Sequence, residues 1–229
     1  MKNKELIQRV LSNIYSGVHD DENRITSRHI YSIAKGFRDR ILSLQMNKKQ
    51  EVAAHNYQIL PCVELMEIPI ELCPCVPPSG CTILRSKHEI PETIDSLYGN
   101  GIVQVMTLSR KKITPIKSES LTYVSDNKYT SKSLKYFLEG KYLYIVSSVV
   151  IKMVTVQGLF SDVIGAGAFP NACDTCKDCN SDCQDFLELD FPIDADLEAP
   201  LLEMVKAEIL SSTRKTEQDG EQNQRQSDT

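Results

Sequence analysis

The amino-acid sequence predicts an α+β protein, in which an N-terminal helix pair and a C-terminal helix pack with an antiparallel β-domain. Near both ends of the chain, apolar residues recur at spacings of three and four, which is typical of amphipathic helices. The middle of the chain instead holds short runs of β-branched and aromatic residues separated by turn sequences. Helices and strands that are grouped, rather than alternating along the chain, favour the α+β class.

Two amphipathic helices are predicted in residues 1–50, which we expect to form a helical hairpin. The first covers residues 2–16 and places its apolar side chains on one face: Leu6, Ile7, Val10, Leu11 and Ile14. The second begins at Thr26 or Ser27 and runs to about Met46. A hydroxyl at its start can accept a hydrogen bond from a free N–H of the first turn.

Residues 51–170 are predicted to form the β-rich domain. Six of the ten prolines fall within residues 57–95, which excludes regular helix there and favours short extended pieces. The strand candidates are residues 62–65, 81–84, 102–108, 121–124, 134–138, 142–146 and 149–156. Glu139-Gly-Lys141 predicts a tight hairpin between two of them, and the glycine-containing residues 165–170 predict a flexible loop.

Residues 171–212 are predicted to form a loop rich in Cys and Asp, followed by a C-terminal helix that joins the helical part of the protein. Pro200 suits the first turn of that helix, which is expected to end near Ser212. Residues 213–229 contain no aliphatic or aromatic side chain, and they are predicted to be a polar tail that cannot order itself alone.

Four cysteines in the loop are candidate metal ligands: Cys173, Cys176, Cys179 and Cys183. Four thiolates suit tetrahedral zinc or an iron–sulfur cluster. Nearby acidic side chains raise the pKa of the thiols, and they also repel an iron–sulfur cluster that carries a net negative charge. The alternative is a thiol-rich surface loop without metal, oxidised to disulfides once outside the cell, and no cofactor is then required.

The remaining cysteines match no zinc-binding spacing: Cys62, Cys73, Cys75 and Cys81. The N-terminus lacks the apolar core of a secretory signal, so synthesis in a reducing cytoplasm is expected. These four are therefore predicted to be buried free thiols that pack as small apolar side chains.

Charge is distributed unevenly along the chain. Residues 1–50 carry ten basic and five acidic side chains, residues 110–152 carry nine and three, and residues 173–200 carry one and nine. These segments either attract each other, within a subunit or between copies, or form solvated faces. The second helix also carries Arg28, Lys35, Arg38 and Arg40, which permit a nucleic-acid-binding role, although no groove-reading motif accompanies them.

Catalytic and membrane roles are not indicated. The four histidines are scattered through the chain: His19, His29, His55 and His88. No nucleophile elbow, phosphate-binding loop or His-Glu-x-x-His motif is present, so the sequence predicts no enzyme. No stretch approaches the roughly 18 apolar residues of a membrane span, so no membrane partner is expected.

The order of these segments resembles that of virion structural proteins from crAss-like tailed phages. The resemblance is most specific over residues 142–210. It includes Tyr142-Leu-Tyr-Ile145, Val154-Thr-Val-Gln-Gly-Leu-Phe-Ser-Asp162 and Leu187-Glu-Leu-Asp-Phe-Pro-Ile-Asp194, followed by the apolar helix 201–210 and a polar tail. The cysteine density is not a requirement of this family.

The resemblance implies a head–tail connector or ring protein related to the tail adaptors of short-tailed phages. Such a protein would form a ring, with twelve copies expected, beneath the portal protein in the neck or tail of the virion. Its other partners would be neighbouring tail and ring proteins and non-specific genomic DNA in the lumen.

Overall fold

The computed structural model describes residues 1–15, 25–69, 82–117, 119–120, 133–147, 150–170 and 185–227. The chain divides into two compact units. A helical unit combines Met1–Asn56 with Gln184–Thr229, and a β-unit comprises Tyr57–Cys183. The predicted α+β class is confirmed, because the terminal helices and the strands form separate groups.

The two N-terminal helices predicted from the apolar spacing are present. Helix α1 spans Asn3–Tyr15, and helix α2 spans Ser27–Asn47. Thr26 caps α2, because its hydroxyl accepts a hydrogen bond of 3.3 Å from the His29 N–H. This bond satisfies one of the donors that have no partner within the first turn of a helix.

The C-terminal helix is longer than predicted at both ends. It spans Ala195–Ser227, whereas the sequence predicts a start at Pro200 and an end near Ser212. At its start, the Asp194 carboxylate accepts a hydrogen bond from the Ala195 N–H at 2.9 Å, so the helix begins before the proline. Beyond Ser212 the sequence is rich in Glu, Gln, Lys and Arg, whose helix propensity requires no burial. This long helix is α4; α3 lies in the β-unit.

In the described residues of the β-unit, seven strands form a closed barrel in the order β1-β2-β6-β5-β4-β3-β7. They are β1 Gln58–Pro69, β2 Thr82–Ser86, β3 Ile102–Thr107, β4 Lys112–Pro115, β5 Lys135–Glu139, β6 Tyr142–Val146 and β7 Met153–Gly158. Neighbouring strands are antiparallel except β4 and β5, which are parallel. The predicted hairpin is confirmed, with Gly140 at a left-handed φ of 59° in its turn.

The first strand is longer than the extended piece predicted at residues 62–65, and it accommodates Pro61 at a bulge. Between Leu60 and Val63, β1 has one more residue than its partner β7. A bulge is one of the few places in a sheet where proline is tolerated. Strand β4 was not predicted, and the candidate strand at residues 121–124 lies outside the described residues.

Cys62 follows the proline in this bulge, with a positive φ of 50°. Its side chain is buried and disulfide-bonded, so the prediction of a free thiol is wrong at this position. A disulfide requires two cysteines whose Cα atoms lie within about 7 Å, and spacing along the sequence does not report that distance. Cys73, Cys75 and Cys81 lie outside the described residues.

The barrel encloses an apolar core to which every strand contributes. The fully buried members include Leu60, Val105, Ile113, Leu143 and Val156, one each from β1, β3, β4, β6 and β7. The segment after β7 differs from the predicted loop, since a short helix α3 spans Val163–Gly167. The Asp162 carboxylate stabilises its start by accepting a hydrogen bond of 3.0 Å from the Gly165 N–H.

None of the helices in the described residues is long and apolar enough to span a bilayer.

Candidate functional site

Residues 185–194, which lead into α4, are defined here as the strap; they contain a one-turn 3₁₀ helix, Phe186–Glu188, that ends at Leu189 in an extended conformation. Its backbone pairs with the start of the chain. The Asn3 N–H donates to the Leu189 carbonyl at 3.0 Å, and the Phe191 N–H donates to the Met1 carbonyl at 2.7 Å. An isolated antiparallel bridge joins Lys2 and Asp190 at the same place. The first and last parts of the helical unit are thereby joined through backbone hydrogen bonds.

Two asparagine side chains hold the strap, one near each of its ends. The Asn3 side chain is fully buried and donates through Nδ2 to the Phe186 carbonyl at 2.7 Å. Near the other end of the strap, the Asp194 N–H donates to Asn56 Oδ1 at 3.1 Å. A buried amide that satisfies a backbone group in this way contributes about 1 kcal/mol, and its loss leaves the backbone group unsatisfied. These asparagines therefore fix the position of the strap at both ends.

A buried arginine joins the strap to α2. Arg38 has no exposed surface, and its Nε donates to the Pro192 carbonyl at 2.7 Å. Its Nη1 donates to Asp39 Oδ1 at 3.1 Å, and the guanidinium lies 5.9 Å from the centre of the Phe191 ring. Burial lowers the pKa of Arg38, while the nearby Asp39 carboxylate opposes that shift. Arg38 is therefore a structural cation inside the helical unit.

The burial of Arg38 differs from the nucleic-acid-binding hypothesis, which grouped this residue with Arg28, Lys35 and Arg40 as basic side chains available to a partner. Helical geometry explains the difference, because residues four apart lie on the same face. Ala34 and Leu42 are both fully buried, and Arg38 lies between them on this row. That row is the signal in the sequence from which its burial could have been inferred.

Three aromatic rings form the apolar part of the contact. Tyr31 of α2 packs edge-on against Phe186 and Phe191 of the strap, with ring centres 6.1 Å apart in both pairs. Phe191 is almost completely buried, and Ile193 beside it is also buried. Aromatic edge contacts add about 0.5–1.5 kcal/mol to the burial of the rings. The Phe-Pro sequence of the strap is therefore a packing element.

Two ion pairs connect Lys2 and helix α1 to the strap and to α4. Lys2 Nζ lies 2.7 Å from Glu188 Oε2, and Arg9 Nη1 lies 2.7 Å from Glu198 Oε2. The hydrogen bond with Lys2 lowers the pKa of Glu188, and the same bond raises the pKa of Lys2. Both partners are exposed, so solvent screening limits what this pair contributes.

Acidic and basic side chains each cluster on particular segments of the surface. The strap and α4 expose acidic side chains: Asp185, Glu188, Asp190, Asp196, Glu203 and Glu208. The turn between β3 and β4 exposes Arg110 and Lys111, and Lys112 at the start of β4 is also exposed. These segments carry opposite charge, and charge complementarity of this kind can steer association.

The predicted metal ligands cannot be placed, since Cys173, Cys176, Cys179 and Cys183 all lie outside the described residues. Within the part of the chain that is described, no group of three His, Cys, Asp or Glu side chains could hold a metal ion. What the described contacts provide is a helical unit held by the strap, and surfaces through which the protein can associate.

Comparison with protein families identifies one match. A family model described as phage tail ring protein 2 matches residues 5–229. The matched region includes the strap, α4 and all seven strands of the barrel. A search of curated proteins found no match.

Proposed function

Because this chain belongs to the phage tail ring protein 2 family, we propose that it is a non-enzymatic ring subunit at the head–tail interface of a tailed phage. In this proposal it links the portal protein to the tail and surrounds the channel through which DNA passes. The family match over residues 5–229 is the observation that carries the proposal.

The family establishes part of this function directly. The chain is a structural component of the tail of a crAss-like phage, and therefore of the virion, as its resemblance implied. The neck location, the contact with the portal and synthesis in the host cytoplasm are the further parts of our proposal.

Cyclic assembly places a specific demand on the subunit. In a ring, one surface of each copy contacts a different surface of the next, and the rotation between copies must close the circle. A small angular error is repeated at each contact, so a rigid subunit favours closure. The strap supports this requirement, because hydrogen bonds from Asn3, Arg38 and Asn56 fix it to the rest of the helical unit.

The proposed partners are other copies of the chain, with twelve in the ring, the portal protein, neighbouring tail and ring proteins, and genomic DNA in the lumen. The exposed acids of α4 and the basic β3–β4 turn support association between copies, because charges of opposite sign steer encounter and fix register. Contact with DNA in the lumen would involve phosphate groups without reading the base sequence.

Electron microscopy of the purified protein, alone and mixed with its portal, tests the proposal. We expect closed rings, twelvefold in symmetry, that bind coaxially to the portal. The portal alone and the protein alone serve as controls for particles that resemble the complex. A protein that remains monomeric at high concentration and does not bind the portal would overturn the proposal.

Metal binding by Cys173, Cys176, Cys179 and Cys183 is the first alternative. Elemental analysis of protein purified without added metal distinguishes this alternative from a structural ring subunit without metal. For a structural ring subunit without metal we expect less than about 0.2 zinc or iron per chain, since a closed thiolate site would retain its metal. Stoichiometric metal that survives dialysis, with unfolding by a chelator, would establish the metal-binding alternative.

Nucleic-acid binding through α2 is the second alternative. The burial of Arg38 weakens it, since this cation is not available to a phosphate group. A steep, salt-dependent affinity of the isolated chain for short duplex DNA would favour this alternative.

A further inference from the structure

A rigid turn of the β-unit presents two apolar side chains to solvent. Leu97 and Tyr98 form the tip of the turn between Ser96 and Gly99 and are 85% and 65% exposed. The Ser96 N–H donates to the Gly99 carbonyl at 2.9 Å, and the Gly99 N–H donates back at 3.2 Å. The Ser96 hydroxyl also donates to the Gly99 carbonyl at 2.9 Å. A turn fixed in this way loses little entropy when it binds.

The same end of the barrel exposes two further aliphatic side chains. Strands β1 and β3 begin beside the end of β7, because Gly158 pairs with both Gln58 and Ile102. The next residues, Ile59 and Val103, are both exposed. We define Ile59, Leu97, Tyr98 and Val103 as the barrel-end patch. Exposed apolar side chains grouped at one end of a barrel are typical of interaction surfaces.

Helix α2 carries a second apolar surface, beside the face that it buries in the helical unit. Ile33, Phe37 and Leu44 lie on one stripe, since the spacings of four and seven residues return to the same side of a helix. Ile33 and Phe37 are half-buried, and Leu44 is 49% exposed. We define these three residues as the α2 stripe.

The charges beside these two surfaces are complementary. Glu92 and Asp95 are exposed on the segment that leads into the turn of the barrel-end patch. Arg40 and Lys48 are exposed beside the α2 stripe. Specific interfaces commonly have an apolar centre surrounded by polar side chains, and the charges at the edges of the two partners are opposite in sign.

We propose that the barrel-end patch of one copy docks on the α2 stripe of the next copy in the ring. The inference rests on the proposed ring function, which requires a contact between two different surfaces of the same chain. Tyr98 and Leu97 would serve as anchors, since aromatic residues at the centre of an interface commonly contribute most of its affinity.

Replacing the two anchors together tests this contact. We expect Leu97→Ser/Tyr98→Ser to raise the protein concentration needed for ring formation about thirtyfold, as expected for loss of one hot spot at each contact. The matched control is Met66→Ser/Val150→Ser, which removes two exposed apolar side chains elsewhere in the β-unit and should leave that concentration unchanged. Circular dichroism of both variants verifies that they fold.

Crosslinking identifies the opposite surface. A photoreactive benzoylphenylalanine at position 97, in a ring assembled from a mixture of ¹⁴N- and ¹⁵N-labelled chains, should crosslink to peptides of α2 from the other isotope. Rings that crosslink elsewhere, or that form normally with Leu97→Ser/Tyr98→Ser, would overturn this contact and leave the ring function standing. A wild-type protein that forms no ring, alone or with the portal, would overturn the ring function itself.

Discussion

Arg38 shows how one buried cation can hold two distant parts of a chain together. Its guanidinium is withdrawn from water, and that is unfavourable unless hydrogen bonds and a counter-charge compensate. The Pro192 carbonyl and the Asp39 carboxylate provide both. Removing such a side chain therefore affects the strap as well as α2.

We predict that Arg38→Ala lowers the free energy of unfolding of the helical unit by about 2–4 kcal/mol, since hydrogen bonds to charged groups and buried packing are both lost. Arg40→Ala is the matched control, because this exposed arginine lies on the same helix and its loss should cost less than about 0.5 kcal/mol. Chemical denaturation followed by circular dichroism measures both. Equal effects of the two substitutions would contradict the structural role of Arg38.

The Lys2–Glu188 pair predicts a dependence of stability on pH. Because the pKa of Glu188 is lowered in the folded protein, its contribution is present above its ordinary pKa of 4.5 and is lost as the pH falls through the lowered value. Because the pKa of Lys2 is raised in the folded protein, its contribution to stability is present below its ordinary pKa of 10.5. That contribution is lost as the pH rises through the raised value.

We expect Glu188→Gln to melt at a lower temperature than the wild type near neutral pH, and this difference to disappear in acid as the wild-type carboxylate becomes protonated. Thermal unfolding at a series of pH values measures it. Glu203→Gln, which removes an exposed carboxylate from α4, is the control and should show no comparable convergence with the wild type. A difference that persists unchanged at pH 2 would argue against the ion pair as its cause.

At the scale of elements, the sequence predicts those parts whose apolar pattern is regular. Helices α1 and α2 lie within about two residues of their predicted bounds, because their apolar spacing follows the helical period. Strand β4 was not predicted, because only one of its four residues, Ile113, is buried and a single apolar residue gives no alternating pattern. Its pairing with β3 and β5 depends on backbone hydrogen bonds, which leave no apolar pattern in the sequence.

The strap illustrates the same limit for the candidate site. Its sequence was conspicuous, but its contacts with Met1 and Asn3 join residues more than 180 positions apart, such as Asn3 and Phe186 at a separation of 183. Local propensity contains no information about such a pairing. The barrel-end patch was missed for a related reason, because a turn sequence does not report which of its side chains remain exposed.

Replacing glycine by alanine should have opposite effects on stability at Gly101 and at Gly36. A Cβ atom at Gly101 would lie 2.6 Å from the Leu159 carbonyl oxygen and 2.8 Å from that of Ile94. These are backbone atoms close to the start of β3, so they cannot move aside without disturbing the barrel. We expect Gly101→Ala to destabilise the β-unit by about 1–3 kcal/mol, through overpacking.

Gly36→Ala is the matched substitution, since a Cβ there meets nothing within 4 Å and the residue lies within α2. We expect it to stabilise the helical unit by about 0.5–1 kcal/mol, because alanine has the higher helix propensity. Thermal and chemical denaturation compare the two variants. If both substitutions destabilised the protein, the close approach of backbone atoms at Gly101 would not explain the effect of Gly101→Ala.

At the scale of the whole molecule, the helical unit depends on a few buried side chains of α4. Leu201, Val205 and Ile209 are almost completely buried on one face of this helix. Burying each such side chain contributes about 1.5–3 kcal/mol, so together they account for much of the stability of a small unit.

We therefore predict different consequences for two truncations. A chain ending at Ser212 keeps these three residues, and its α1 and α2 amides should remain protected from hydrogen exchange. A chain ending at Ala199 loses them, and the amides of α1 and α2 should exchange rapidly while those of the barrel stay protected. Hydrogen exchange with mass spectrometry measures this, and protected α1 amides in the shorter chain would contradict the prediction.

The pairing of the strap with Met1 and Asn3 also has a consequence for synthesis on the ribosome. The first helices emerge early, yet the residues that complete their unit are translated only after the whole barrel. An incomplete chain therefore carries an unfinished helical unit, even when its barrel has folded. Because α2 belongs to that unit, a prematurely terminated chain would lack the finished form of the docking surface that we propose on α2.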